Sequence, residues 1–144
     1  MKPVTLKCVQ VTDVNGQLWS ERFFLNGQLH NEHGPAIRLW YENGQLRTEY
    51  FCLNGQLHNE HGTAICLWYE NGQLRVESYW LNGKRHNENG PAIRLWYENG
   101  QLRTGYFYLN DEELTESEWK ARAACQPDQK CVIIDGKTYK LVKV

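Results

Sequence analysis

The chain of 144 residues lacks a surplus of either charge. Sixteen Lys and Arg stand against 17 Asp and Glu, a net charge of −1 with a pI near 6.5. A nucleic-acid binder needs an excess of basic side chains to displace counterions, so this balance argues against nucleic acid as a partner. It argues equally against an acidic mimic of nucleic acid. No apolar run approaches the ~20 residues of a membrane span. The opening stretch MKPVTLKCVQVTDV lacks the continuous apolar segment and small-residue cleavage pattern of a signal peptide. A cytoplasmic site of action is the expectation. Cysteine is sparse and unpatterned: Cys8, Cys52, Cys66, Cys125 and Cys131 are five, an odd number. Cys52 aligns with Trp80, and Cys66 with Arg38 and Arg94, so neither belongs to a repeated framework and free thiols are expected. Cys125 and Cys131 sit close in CQPDQKC, where a disulfide or metal role is the minor reading. There is no nucleophile elbow, phosphate loop or zinc-peptidase helix. We therefore expect no enzyme, no metal and no cofactor.

What is abundant is repetition. Aromatics make up 12% of the chain, with six Trp, and they recur in phase. LWYENGQLR occurs without change at 39–47, 67–75 and 95–103, a period of 28. Asn-Gly occurs at 15–16, 43–44, 71–72 and 99–100, and again at 26–27, 54–55 and 82–83, with spacings alternating between 11 and 17. A period of this length marks a stacked repeat architecture. The second series loses its glycine at Asn110-Asp111, where the repeat is expected to stop.

Asn-Gly is a strong signal for a two-residue type I′ hairpin. With Asn43-Gly44 as such a turn, Tyr41 would oppose Leu46, Leu39 oppose Thr48, and Ile37 oppose Tyr50. These six would share one face. The other face would pair Trp40 with Arg47, Arg38 with Glu49, and Ala36 with Phe51. Trp68 with Arg75 and Trp96 with Arg103 repeat the first of these, suggesting a cation–π row. The charge pair is less faithful, since Cys66 opposes Glu77 and Arg94 opposes Gly105. From Asn26-Gly27 the chain runs QLHNEHGPA before the next strand, which reads as a wide loop ending at a strand-start proline.

The expected fold is all-β: a meandering antiparallel sheet of stacked hairpins. Residues 1–110 form the array, with a half repeat at 1–14 whose Val9 and Val11 fall on the Ile37/Leu39 face. Residues 111–144 form a cap. There Thr115 and Glu118 make a capping box for a helix of about nine residues. A final hairpin turns at Asp135-Gly136, with Val132 facing Tyr139 and Ile133 facing Thr138.

The succession of Asn-Gly, a spacer, His, then GPA, an aromatic strand and Asn-Gly again resembles the variant MORN repeats. It is closest to the long form common in phage, giant-virus and bacterial proteins, and more distantly similar to bacterial MORN-like repeat antitoxins. The resemblance covers about Val14 to Asn110. It implies a single-layer or weakly closed sheet serving protein–protein contact. It also implies an inhibitor or antitoxin-like role, phage-encoded and directed at a bacterial defence or toxin protein. A phospholipid association known for eukaryotic members is not expected, because the period is longer and the charge balanced.

Two sets of residues are candidates for contact. The Trp40, Trp68 and Trp96 row, with Arg47, Arg75 and Arg103 beside it and Arg38 and Arg94 near, has the residue types enriched at binding hot spots. The competing reading is that Trp packed under Arg stiffens a solvent-facing sheet. The loop residues His30, His58 and His86 form the second, weaker set. His30 with His33 and His58 with His61 have a permissible metal spacing, but the third copy has Asn89 in place of the second His, and turn architecture explains all three. The more apolar face, with Ile37, Leu39, Tyr41 and their repeats, needs covering, which motivates a homodimer. A scaffold is the alternative class of function, and a nucleotide or single-stranded nucleic-acid binder the third. The partner expected first is a protein.

Overall fold

A computed structural model describes residues 5–124, 131–134 and 137–140. In chain order the strands are β1 (Leu6–Thr12), β2 (Leu18–Leu25), β3 (Gln28–Leu29), β4 (Ile37–Trp40) and β5 (Leu46–Tyr50). Then come β6 (Cys52–Leu53), β7 (Gln56–Leu57), β8 (Ile65–Trp68), β9 (Leu74–Ser78), β10 (Trp80–Leu81) and β11 (Lys84–Arg85). The series ends with β12 (Ile93–Trp96), β13 (Leu102–Leu109), β14 (Glu112–Leu114), helix α1 (Glu116–Ala123), β15 (Cys131–Ile134) and β16 (Lys137–Lys140). The main sheet is an antiparallel meander in the order β1-β2-β4-β5-β8-β9-β12-β13-β14. The short strands β3, β6–β7 and β10–β11 form a second row of hairpins beside it. The fold is the expected all-β meander, with a short helix and a final hairpin.

The two turn series have exchanged the expected roles. Tyr41 N–H donates to Gln45 O at 2.8 Å and Gly44 N–H to Tyr41 O at 2.9 Å, so Glu42-Asn43-Gly44 is a three-residue loop. Only its glycine is left-handed, at φ 83°. This is the turn-plus-bulge hairpin, which needs one more residue than the two-residue form. The two-residue turns with both central residues at positive φ lie in the other series: Asn26 at 51° and Gly27 at 78°, repeated at Asn54-Gly55 and Asn82-Gly83. What read as one wide loop is therefore a tight hairpin, Leu25 opposite Gln28, followed by a shorter loop. The series also continues past its last glycine. Asn110 and Asp111 hold the same turn at 49° and 69°, with Leu109 opposite Glu112.

The bulge corrects the expected register. Ile37–Tyr50, Arg38–Glu49 and Leu39–Thr48 pair as anticipated, but the ladder then shifts and Trp40 faces Leu46. Arg47 is the extra residue. The same shift separates Trp68 from Arg75 and Trp96 from Arg103. The Trp–Arg cross-strand pair does not form.

The sheet is one layer thick. No large side chain is completely buried among the described residues; Ala36, Ala64 and Ala92 are the most buried, and Ser20, Thr48, Ser78, His30 and Tyr108 are nearly so. Helix α1 carries the expected capping box: Glu118 N–H donates to Thr115 Oγ1, and Thr115 N–H to the Glu118 carboxylate. It seats at one end of the sheet, where Trp119 packs on Phe107 with ring centroids 5.0 Å apart. The pairs Val132–Tyr139 and Ile133–Thr138 form as expected. The question of Cys125 and Cys131, and the turn at Asp135-Gly136, lie outside the described residues.

Candidate protein-contact surface

Trp40 and Tyr41 are consecutive in an extended segment, so they point to opposite faces. The guanidinium of Arg47 lies 5.6 Å from the centroid of the Tyr41 ring. The bulge has thus turned Arg47 onto the tyrosine face. Arg75 over Tyr69 at 5.6 Å and Arg103 over Tyr97 at 5.7 Å repeat the arrangement. The cation–π row anticipated for Trp exists with Tyr as the ring. Two strands separate successive pairs, which places them about 10 Å apart. All three arginines are exposed. Trp19 stands one period before Arg47 and is 49% exposed, so it heads the row.

Ile37, Leu39, Ile65, Leu67, Val76, Ile93 and Leu95 share the tyrosine face, each half-buried. The helix at the end of the sheet does not cover them. Trp40, Trp68 and Trp96 lie on the other face, half-buried, opposite Leu46, Leu74 and Leu102. Arg38 is on that face too. It bridges Glu49 at 3.1 Å and Glu21 at 3.3 Å, and Arg94 pairs with Glu77. Arg38 and Arg94 are thus engaged within the sheet, apart from Arg47, Arg75 and Arg103.

The loop histidines join one repeat to the next. Nδ1 of His30 accepts the backbone N–H of Asn54 at 3.1 Å; His58 does so for Asn82 at 3.0 Å and His86 for Asn110 at 3.1 Å. Each bond satisfies a turn residue held at positive φ. The Nε2 atoms face Glu32, Glu60 and Glu88 at 3.4–3.5 Å. The wide loop is closed from within: Asn31 Nδ2 donates to Pro35 O at 3.0 Å, and His33 N–H donates to Asn31 Oδ1 at 3.0 Å. Sequence reasoning missed the tyrosine bonds altogether. Tyr41 donates to Trp68 O at 2.8 Å and Tyr69 to Trp96 O at 3.0 Å. The 28-residue period was the signal that could have found them.

Successive wide loops enclose two equivalent clefts. One, of about 360 Å³, is lined by His33, Glu60, His61, Phe51 and Leu53 among others. The next, of about 430 Å³, substitutes His61, Asn89, Tyr79, Leu81 and Arg94. No cluster of three or more His, Cys, Asp or Glu suited to a metal ion occurs among the described residues. Cys8, Cys52 and Cys66 are free thiols. Burial pushes the Cys66 thiol up, and the neighbouring Glu49 and Glu77 add to this against a lowering bond from Thr63. A thiol held protonated is a poor nucleophile. No helix among the described residues is long and apolar enough to cross a membrane.

The family described as MORN repeat variant matches residues 65–82. No curated protein and no solved structure matches the chain. The matched segment spans one bulged hairpin and the strand after it, and the same unit recurs in phase on both sides. Over residues 65–82, one of its repeat units, the chain is similar to the MORN repeat variant.

Proposed function

We propose that this chain binds a protein through its tyrosine face, without catalysis. The observation that carries the reading is the row of Tyr41–Arg47, Tyr69–Arg75 and Tyr97–Arg103, its arginines exposed along a half-buried apolar face. Tyr and Arg are enriched where partners are held, and an apolar patch rimmed by charge is the usual form of a contact surface. Guanidinium groups already laid over rings lose little freedom on binding. The apolar side chains around them supply area.

The mode of action is inhibitor-like: the module acts by occupying a partner's surface. The narrower reading, an antitoxin-like or phage-encoded protein aimed at a bacterial defence or toxin protein, rests on the resemblance of the repeat alone. A scaffold is the second reading, favoured by the hydrogen bonds that fasten each repeat to the next. A homodimer through the apolar face belongs with it.

A photo-crosslinking residue at Arg75 on the tyrosine face, compared with one at Trp68 on the opposite face, tests the proposal. Protein-specific adducts from the Arg75 position alone support it. Adducts from the Trp68 position alone overturn it.

A further inference from the structure

One joint recurs along the sheet. The second strand of each unit pairs with the first strand of the next through three residues. Ser20, Glu21 and Arg22 meet Leu39, Arg38 and Ile37. Thr48, Glu49 and Tyr50 meet Leu67, Cys66 and Ile65. Val76, Glu77 and Ser78 meet Leu95, Arg94 and Ile93. Two side-chain bonds lock the joint from outside the ladder: Tyr41 to Trp68 O at 2.8 Å and Asn43 Nδ2 to Glu70 O at 3.0 Å. Tyr69 to Trp96 O and Asn71 Nδ2 to Glu98 O, both at 3.0 Å, repeat them.

Among the described strands, both halves of this joint stand unpaired at the two ends of the sheet. In β13, Thr104, Gly105 and Tyr106 pair with β12 on one side, and β14 takes up only Phe107, Tyr108 and Leu109 on the other. No described strand faces the outer edge of Thr104–Tyr106. Tyr97, third in the series of locking tyrosines, is 50% exposed. Its hydroxyl has no hydrogen-bond partner among the described residues. Among the described residues Asn99 Nδ2 makes only a long 3.4 Å contact with Gln101. At the opposite end β1 has β2 on one side and no described strand on the other. Its Val9, Gln10 and Val11 occupy the register positions of Ile65, Cys66 and Leu67.

The two ends are complementary. Laid together in the register of the interior joints, Thr104 meets Val11, Gly105 meets Gln10, and Tyr106 meets Val9. These repeat the Thr48–Leu67 and Tyr50–Ile65 contacts closely. The interior joints carry Glu opposite Arg or Cys. The ends carry Gly105 and Gln10 instead, so joining them would enclose no unpaired carboxylate. Natural edge strands are usually guarded by inward charge, and these two central positions have none.

We propose that the end of the sheet at β13 docks the β1 edge of a second copy of this chain. Tyr97 then donates to the Thr12 carbonyl of that copy and Asn99 to its Val14 carbonyl, at the positions of Trp68 and Glu70. The contact is head to tail and translational, so it extends one sheet through successive copies and closes no ring.

Sedimentation and light scattering of the full chain, from micromolar to millimolar, test this. The expected mass climbs beyond the dimer in steps of 16.9 kDa. Two variants block opposite ends. Phe51 N–H donates to Ala64 O, and such bonds recur at every second residue of an antiparallel ladder. Gln10 therefore directs its N–H outward, and Gln10→Pro removes it from an edge where proline is tolerated. Tyr97→Phe with Asn99→Ala removes both locking donors, raising the half-assembly concentration about tenfold. Each variant alone should stay monomeric where the wild type grows, and an equal mixture should stop at the dimer. A wild type monomeric at every concentration overturns the proposal. So does a dimer that never grows, or growth undiminished in both variants. Should Gln10→Pro fail to fold by circular dichroism, the Tyr97/Asn99 variant carries the test alone.

Discussion

The Tyr41 hydroxyl donates to the backbone carbonyl of Trp68 at 2.8 Å, 27 residues further along the chain. The bond ties the bulged hairpin of one repeat to the same hairpin of the next, in a sheet with no second layer among the described residues to hold it. Tyr69→Phe removes the equivalent bond to Trp96 and leaves the ring in place. The expected cost is about 1 kcal/mol, seen as a melting temperature lower by a few degrees. Tyr97→Phe, lacking an acceptor among the described residues, should leave the melting temperature of dilute protein unchanged. Equal effects at both positions would contradict this role.

The histidine bonds predict a graded series. Alanine at His30, His58 or His86 strands the amide of Asn54, Asn82 or Asn110, at a cost of about 1 kcal/mol each. His30 has the most buried side chain, at 8% exposed against 10% and 13% for the others. Water therefore replaces its bond least well, and His30→Ala should be the most damaging. Amide exchange at Asn54, Asn82 and Asn110 should accelerate only in the matching variant. Uniform acceleration across all three would point to a global loss of stability instead.

The two glycine classes separate in the same way. Gly55 sits at φ 78° in a two-residue turn. An added Cβ there meets only Gln28 at ordinary contact distance, so Gly55→Ala is strained by the backbone alone, by about 1 kcal/mol. Gly62 in the wide loop has ordinary φ and a nearest contact of 3.7 Å to Asn59. Gly62→Ala should be close to neutral in a thermal melt. Reversal of that order would refute the turn assignment.

Acid should loosen the helical end first. The bond from Arg85 holds the Asp111 carboxyl below its ordinary range, and the bond from Arg122 does the same for Glu112. A carboxyl depressed in the folded state gives stability that is full above its unfolded value and lost as pH falls through the folded one. Loss therefore begins below about pH 4. The indole N–H of Trp119, which donates to Asn87 O at 2.8 Å, reports the change by NMR. It should shift and broaden before the amides of β4 and β5 do. An invariant Trp119 signal down to about pH 3 would contradict the pairing's role.

Much of this architecture was legible in local pattern. Arg38 against Glu49, the Thr115–Glu118 capping box and the Val132–Tyr139 pair all follow from turn position and side-chain alternation, and all are present. The Trp40–Arg47 pair was not legible, because Asn43-Gly44 fits both a two-residue and a three-residue turn. The extra turn residue is absorbed by a bulge at Arg47, which leaves Arg38–Glu49 in place and puts Arg47 on the other face, where it meets Tyr41. The bonds that Tyr41 and Asn43 donate and that His30 accepts join residues 24 to 27 apart. Neither helix nor strand periodicity can show such links, since only stacking of whole repeats brings the partners together.

The most direct test of the proposed contact surface is the triple substitution of Arg47, Arg75 and Arg103 by alanine. These arginines are exposed, and their pairing with Tyr adds little to the fold. Quantitative mass spectrometry of proteins captured by wild-type and triple-variant chains, read beside their melting temperatures, makes the comparison. The account predicts a melting temperature within about 2 °C of wild type and loss of the partner that the wild type enriches. Capture undiminished in a folded triple variant, or a large fall in its melting temperature, would contradict it.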